Sequence, residues 1–363
     1  MRLIVLDENF DTLGSIPLFR TLIWTRRYEK LGCFELYTSK DYFSLLNSGK
    51  YLYRNDANEL GVIDEVNYSQ DENGGREAYA KGNFAEKILT NRVISETVTL
   101  TGNVEEAMRR LVNITCINPT DSDRKVAHLR LGKLTGITGT IDIQSTGDNV
   151  SEKLYEIGNT QEISHRVRYD FLTNDLLFEA WEGVDRRDSQ EENSWAIFSN
   201  SFYNIRNVVY NRNSSSYKNF AYVAGAEEGS DRVIVTVDKR QPGEERKEIW
   251  VDARDLQQKD ADGNAITLDT YKQQLAQRGL EKLAEYRKVE TVNSGIDSQA
   301  NLVYKKDFDL GDLCTYINTE VVIETDKRIT EIMETYEGAE TKLSVTFGTD
   351  EVSTVQQLIK REV

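Results

Sequence analysis

The feature that most constrains the fold is an alternation of apolar and polar residues, in a chain with only three prolines among 363 residues. From Ile163 to Phe171 the odd-numbered positions carry Ile, His, Val, Tyr and Phe, and the even-numbered positions carry polar or charged residues. A period of two is typical of a β-strand with one buried face. Residues 173–175 supply turn chemistry, so residues 176–181 are predicted to return as the second strand of a hairpin.

The same alternation predicts further strands along the chain. They are centred on residues 20–26, 34–37, 233–237 and 343–347. Polar segments at 211–216 and 240–246 are predicted as loops.

Three helices are predicted against this β-rich background. Asn103 is a good N-cap with Glu106 at the capping-box position, and apolar residues follow at helical spacing. A second helix is predicted over 150–157. A third, amphipathic helix is predicted over 270–289, with its polar face in solvent.

These elements predict a mainly β fold with α+β insertions, divided into consecutive units. The predicted division is a first β-domain at 1–97, a small α/β domain at 98–160, a discontinuous second β-domain at 161–240 and 295–350, an insertion with the long helix at 241–294, and a C-terminal tail at 351–363.

Composition restricts the classes of function. The 61 Asp and Glu residues outnumber the 45 Lys and Arg residues, which gives a formal net charge of −16 and disfavours tight binding to a phosphate backbone. No apolar run reaches 18 residues, so no membrane span is predicted. Cys33, Cys116 and Cys314 form no CxxC motif and are odd in number, which favours reduced, buried thiols in a protein assembled in a cytoplasm.

Catalytic chemistry has little support in the sequence. The only histidines are His128 and His165, and His165 is predicted to be a hydrogen-bonded core residue of its strand. Residues 260–264 resemble the start of a calcium loop, but Ala265 and Tyr271 stand where that loop needs Gly and Glu. We therefore predict no catalytic, metal-binding or cofactor-binding residues and no enzymatic activity. A hydrolytic pair of carboxylates is left open, because sequence alone does not place two such groups in one cleft.

Several segments, in order, carry a resemblance to a known family. They are 24–28 (WTRRY) with 32–36 (GCFEL), 75–76 (GR) with 88–94 (ILTNRVI), 183–186 (GVDR), 198–202 (FSNSF), 217–225 (YKNFAYVAG), 307–313 (DFDLGDL), 328–332 (RITEI) and 345–348 (VTFG). In the most specific of them, Gly311 is predicted to take a tight turn and Asp312 to bind the local backbone. The chain resembles the siphophage tail proteins that are related to the baseplate hub of contractile tails and to the N-terminal structural domain of tail-associated lysins.

The resemblance implies a structural role at the tail tip or baseplate of a virion or phage-like particle assembled in the host bacterial cytoplasm. It implies a homotrimeric ring, with two barrel-like, tube-type domains in each subunit. The implied partners are the tail tube or distal tail protein, the tape measure protein, and the spike or other baseplate proteins. The chain ends soon after its last predicted strand, which favours the bare hub without an enzymatic extension.

Two other classes of function stay open at this point. One is a cell-wall or polysaccharide hydrolase on a β scaffold, and the other is a receptor-binding tail adhesin. The sequence is equally compatible with a contractile or non-contractile tail, and with a phage or a DNA-free bacteriocin particle.

Overall fold

The computed structural model describes residues 1–70, 72, 74–259, 263–297 and 300–349. Its described elements are mostly strands with a few helices, which confirms the predicted mainly β class. The calcium-like segment lies largely outside the described residues, because 260–262 are not among them. No helix in the described ranges is long and apolar enough to cross a membrane.

The N-terminal region forms a β-domain around one hydrophobic cluster. Its strands are β1 (Leu3–Leu6), β2 (Thr12–Ile16), β3 (Thr21–Arg27), β4 (Cys33–Ser39), β5 (Tyr51–Arg54), β6 (Leu60–Val62), β7 (Glu65–Gln70) and β8 (Arg76–Asn83), with helix α1 (Phe43–Ser48) and 3-10 turns at Lys40–Tyr42 and Ala85–Asn91. One sheet has the order β2-β1-β5-β6, and β3, β4, β8 and β7 are neighbours in another. Trp24, Phe34 and Leu36 fill the space between them.

The next region carries two helices. It contains β9 (Val98–Asn103), α2 (Val104–Val112) with a π-helical turn at Asn113–Ile117, a 3-10 turn at Ser122–Arg124, β10 (Leu129–Leu131), β11 (Thr140–Ser145), α3 (Val150–Gln161), β12 (Ser164–Asp170) and β13 (Asp175–Trp181). The Asn103 side chain accepts a hydrogen bond from the Glu106 amide at 3.1 Å, as the capping pattern predicts. Such a cap stabilises a helix by about 1 kcal/mol.

The predicted hairpin is confirmed as β12 and β13, paired from Ser164 with Trp181 to Asp170 with Asp175. Val167 and Phe178 of the hairpin pack in the same hydrophobic cluster as Leu111 of α2 and Leu154 of α3. The residues of this cluster therefore come from both sides of position 160, where the sequence analysis divided the chain.

The C-terminal half is again mostly strands, and we call it the second β-domain; the segment 214–288, which lies between two of its paired strands, we call the insertion. The elements of the C-terminal half are β14 (Asp185–Arg186), β15 (Ile197–Ser199), a 3-10 turn at Asn200–Phe202, β16 (Ile205–Asn213), β17 (Phe220–Ala224), a 3-10 turn at Gly229–Asp231, β18 (Ile234–Asp238), β19 (Glu248–Asp252), α4 (Leu268–Glu285), β20 (Val289–Ile296), β21 (Leu313–Asn318), β22 (Ile323–Glu337) and β23 (Glu340–Thr349). Residues 211–213 belong to β16, so the predicted loop at 211–216 is wrong in its first half.

The long helix differs from its prediction in two ways. It ends at Glu285 rather than at 289, because Val289 already begins β20. Its polar face is also not simply solvated: Gln274 and Glu281 are buried. Glu281 forms an ion pair with the buried Lys153 of α3, with Nζ and Oε2 3.7 Å apart. The opposite face of α4 packs on the sheet β18-β17-β19.

Candidate functional site

One sheet runs through both β-domains. Its main path has the order β16-β20-β23-β22-β3-β4-β8-β7. The two domains meet where β22 pairs antiparallel with β3, from Arg27 opposite Glu331 to Thr21 opposite Glu337. Backbone hydrogen bonds along this pairing, which we call the seam, join the two domains into one eight-stranded path.

The two faces of this path are chemically different. One face carries the apolar side chains of both β-domain cores. The opposite side, which we call the open face, contributes to none of the four hydrophobic clusters. The register places on it Thr21, Ile23, Thr25, Arg27, Cys33, Glu35, Tyr37, Glu65, Asn67, Ser69, Glu77, Tyr79, Lys81, Arg206, Val209, Asn211, Thr291, Asn293, Glu331, Met333, Thr335, Glu337, Glu340, Lys342, Ser344 and Thr346.

Charges on the open face neutralise one another across neighbouring strands. Arg27 Nε lies 2.6 Å from Glu331 Oε2 across the seam. Lys81 Nζ lies 2.7 Å from Glu65 Oε2. Ion pairs that are this exposed contribute about 0.2–1 kcal/mol each to the stability of the folded protein. Their main effect is therefore to leave a polar surface with little local charge.

The path ends in two strand edges. Among the described residues, β7 pairs only with β8, and β16 pairs only with β20. Apolar side chains are exposed along both edges: Tyr68 on β7 is 47% exposed, and Val209 on β16 is 64% exposed. Long edges with exposed apolar residues are templates for pairing with another chain.

The core side of the seam holds a buried ion pair. Arg54 Nη2 on β5 lies 2.8 Å from Glu334 Oε2 on β22. The guanidinium also stacks on Trp24, with Cζ 4.9 Å from the ring centroid. Burial raises the pKa of Glu334, but the positive charges of Arg54 and Lys305 and the hydrogen bonds from Tyr336 and Tyr304 together hold that pKa below its usual value.

A second ionic cluster lies beside the first. Arg26 Nε is 2.7 Å from Glu59 Oε1, and Arg26 Nη1 is 2.5 Å from Asp309 Oδ1. The Tyr304 hydroxyl bridges the two clusters: it accepts from Arg26 Nη1 at 3.0 Å and donates to Glu334 Oε1 at 2.9 Å. Burial raises the pKa of Glu59, but the charges of Arg26 and Arg54 and the hydrogen bonds to this carboxylate together lower it to about 2.

These charged residues were not predicted from the sequence, although the sequence contains a signal for two of them. Arg54 follows the buried Leu52 by two residues, and Glu334 follows the buried Ile332 by two. A charged residue at the buried phase of a strand needs a partner inside the protein. The partner was not predictable, because it lies in the other β-domain.

Segments that carried the family resemblance meet next to the seam. Gly311 takes a positive φ of 85°, as predicted for the tight turn. Asp312 accepts the Asp309 amide at 2.9 Å, the Val184 amide at 2.8 Å and Arg186 Nε at 2.7 Å. The predicted local role of Asp312 is confirmed, and within the second β-domain it also connects the segment 183–186 to the turn before β21.

A small cavity of about 30 Å³ lies at the junction of the two β-domains and the helix-bearing region. It is lined in part by Glu86 and His165, both buried. Burial raises the pKa of Glu86 to about 7 and lowers that of His165 to about 3. The predicted core position of His165 is correct, but neither ring nitrogen has a hydrogen-bond partner within the described structure. The ring packs instead on Tyr155 and Phe178.

Residues 1–70, 72, 74–259, 263–297 and 300–349 contain no group of three or more His, Cys, Asp or Glu side chains arranged to hold a metal ion. The three cysteines are free, with Cys116 and Cys314 buried and Cys33 partly buried.

Solved structures share this fold. The tail protein from Neisseria meningitidis MC58 aligns with a TM-score of 0.57 and 12% identity over 96% of each chain. The prophage tail protein gp18 from Listeria monocytogenes EGD-e aligns with a TM-score of 0.57 and 12% identity, over 99% of this chain and 98% of that one. The 43 kDa tail protein of prophage MuSo2 from Shewanella oneidensis aligns with a TM-score of 0.56 and 10% identity, over 96% of this chain and 98% of that one.

No curated protein sequence matches the chain significantly. At the level of families, residues 2–349 match the model described as Siphovirus ReqiPepy6 Gp37-like protein. This match spans both β-domains and the insertion, and it confirms the resemblance to phage tail proteins drawn from the sequence motifs. The chain therefore belongs to the Siphovirus ReqiPepy6 Gp37-like family of tail proteins.

Proposed function

We propose that this tail protein is a structural hub of the tail tip or baseplate, and that it works as a homotrimeric ring without enzymatic activity. The ring joins the tail tube and tape measure protein to the spike or tip complex. The observation that carries the proposal is the eight-stranded path with one open polar face and two unpaired edges.

The edges support self-assembly. If β7 of one subunit meets β16 of the next, the exposed backbone groups of both strands find partners, and the sheet continues from subunit to subunit. A head-to-tail contact of this kind forms a closed ring when its rotation closes. Closure also removes the edges, which are otherwise sites of aggregation.

The number of β-domains in each chain supports a count of three subunits. Each chain contributes two β-domains to the path, so three chains present six, which matches a six-fold tail tube. The open face suits the inner wall of such a ring, because a polar surface with paired charges tolerates water on one side of a sheet.

The test is Val209→Lys, which places a charge on the β16 edge. Val209 is 64% exposed, so the isolated subunit is expected to keep its stability. Ring formation in particles is expected to fail, because a lysine on an edge strand blocks pairing. Leu172→Lys is the matched control, since Leu172 is 94% exposed but lies in the turn between β12 and β13.

The readout is electron microscopy of particles assembled with each variant, with copies of this subunit counted at the tail tip. We expect three copies with the control and loss of the subunit with Val209→Lys. A ring of two or six copies, or normal assembly of Val209→Lys particles, would overturn the proposal.

A further inference from the structure

The insertion presents a second uncovered sheet face. In the sheet β18-β17-β19, Val223, Val237 and Val251 point toward α4 and are buried. The alternate residues point the other way, and among them Trp250 is 55% exposed and Ile234 is 49% exposed. We call this side the platform.

Two aromatic rings form the centre of the platform. Tyr222 on β17 lies directly opposite Trp250 on β19 in the parallel register. Their ring centroids are 6.4 Å apart and their planes differ by 30°. The two rings are therefore neighbours on the platform, and the half-exposed Trp250 ring presents apolar surface to solvent.

Arginine side chains contact the aromatic rings of the platform. Arg246 Cζ lies 3.5 Å from the centroid of Phe220, and Arg246 Nη2 donates to the Tyr222 hydroxyl at 2.5 Å. Arg232 Cζ lies 5.9 Å from the Trp250 ring. These contacts place two guanidinium groups next to the aromatic rings of the platform.

Each platform arginine also has a carboxylate beside it. Arg246 Nε lies 2.8 Å from Glu248, and Arg232 Nη2 lies 2.8 Å from Asp252. Arg240 pairs with Asp238 at 2.6 Å, and Arg254 shares Asp252 at 2.7 Å. Four guanidinium groups thus face three carboxylates, and the platform is nearly neutral.

The near-neutral charge of the platform indicates which class of ligand it can bind. A polyanion such as nucleic acid needs cations that are free to replace its counterions, and here each arginine already faces a carboxylate. A second copy of the platform would bury these ion pairs at a desolvation cost. A sugar hydroxyl both donates and accepts hydrogen bonds, so it uses guanidinium and carboxylate groups together, while the C–H face of the sugar ring packs on an aromatic ring.

We propose that the platform binds a neutral glycan chain, with its sugar rings stacked on Tyr222 and Trp250 and its hydroxyls bonded to the flanking Arg–carboxylate pairs. The platform is separate from the eight-stranded path, so glycan binding can be tested independently of the hub proposal.

The test uses the full-length chain against an array of neutral oligosaccharides built from hexoses, N-acetylhexosamines and deoxyhexoses, with heparin and a thymidine 20-mer as anionic probes. We expect binding to at least one neutral glycan, at least a tenfold loss of affinity in Trp250→Ala, and a smaller loss in Trp250→Phe. Trp195→Ala is the matched control, because Trp195 is 51% exposed but lies outside the platform, and it is expected to bind like the wild type.

Three results would overturn the proposal. They are no binding to any neutral glycan, equal affinity of the wild type and a folded Trp250→Ala variant, and binding restricted to the anionic probes with a steep dependence on salt. Circular dichroism establishes that each variant is folded before its affinity is compared.

Discussion

Arg54 and Glu334 form an ion pair between strands that are 280 residues apart in the chain, with Nη2 and Oε2 2.8 Å from each other and both side chains buried. Arg54 belongs to the first β-domain and Glu334 to the second. The pair therefore ties together the two domains that share the eight-stranded path. Because a buried charge without a partner is costly, it also disfavours any other arrangement of those domains.

Removal of one partner of this pair is expected to destabilise the protein strongly. Arg54→Ala leaves Glu334 buried without its main counter-charge, and such changes cost about 3–5 kcal/mol. The measurement is the urea midpoint of unfolding. Lys342→Ala is the control, because Lys342 is 63% exposed beside Glu337, and its loss is expected to cost under about 1 kcal/mol. Equal shifts of the midpoint in both variants would show that the buried pair has no special role.

Glu86 is expected to make stability fall as pH rises through neutrality. Its pKa is about 7 in the folded protein and 4.5 in a reference chain, so the folded state holds the proton more tightly. Stability from this group is complete below about pH 4.5 and is lost as pH rises toward 7, by about 3 kcal/mol at most. Glu86→Gln should remove this part of the pH dependence, whereas Glu152→Gln on α3 should not. The measurement is the melting temperature from pH 5 to 8, and parallel curves for Glu86→Gln and the wild type would contradict the prediction.

Substitution of two glycines by alanine tests whether the Leu-Gly-Asp turn at 310–312 also packs closely against neighbouring side chains. Gly311 and Gly338 both have positive φ, so alanine strains either backbone. At Gly311 the new Cβ would also lie 2.8 Å from ring atoms of Tyr28 and Trp181, whereas at Gly338 nothing lies within 4 Å. We expect about 1 kcal/mol of destabilisation for Gly338→Ala and at least twice that for Gly311→Ala. Equal chemical-denaturation midpoints for the two variants would contradict the role of Gly311 in packing.

The channel of the proposed ring is expected to have no basic stripe. If the open face lines the channel, its six glutamates face four basic residues in each subunit, and the remaining side chains are mostly neutral and polar. A basic lining would bind a passing duplex by releasing its counterions, whereas a weakly acidic lining lets it slide. The measurement is the sign of the lumen charge in a structure of the assembled tail tip. A net-positive lumen would contradict the prediction.

Local patterns in the sequence predicted individual elements well. The hairpin of β12 and β13, the Asn103 cap of α2 and the Gly311 turn all depend on residues close together in the chain. Alternation, capping and positive φ are governed by contacts within one strand, one helical turn or one loop, so a single sequence contains the information for them.

Tertiary structure alone decided which of these surfaces are covered. The polar face of α4 was predicted to lie in solvent, but Gln274 and Glu281 are buried, the latter beside Lys153 of α3. The alternation in β3 and β22 predicted two strands, each with one buried face, but not that they pair with each other. That pairing joins segments about 300 residues apart, and it is stabilised by charges whose partners lie in another domain. The alternation of apolar and polar residues along one strand does not indicate such a partner. The free energy of a buried charge depends on which residues the whole fold places next to it.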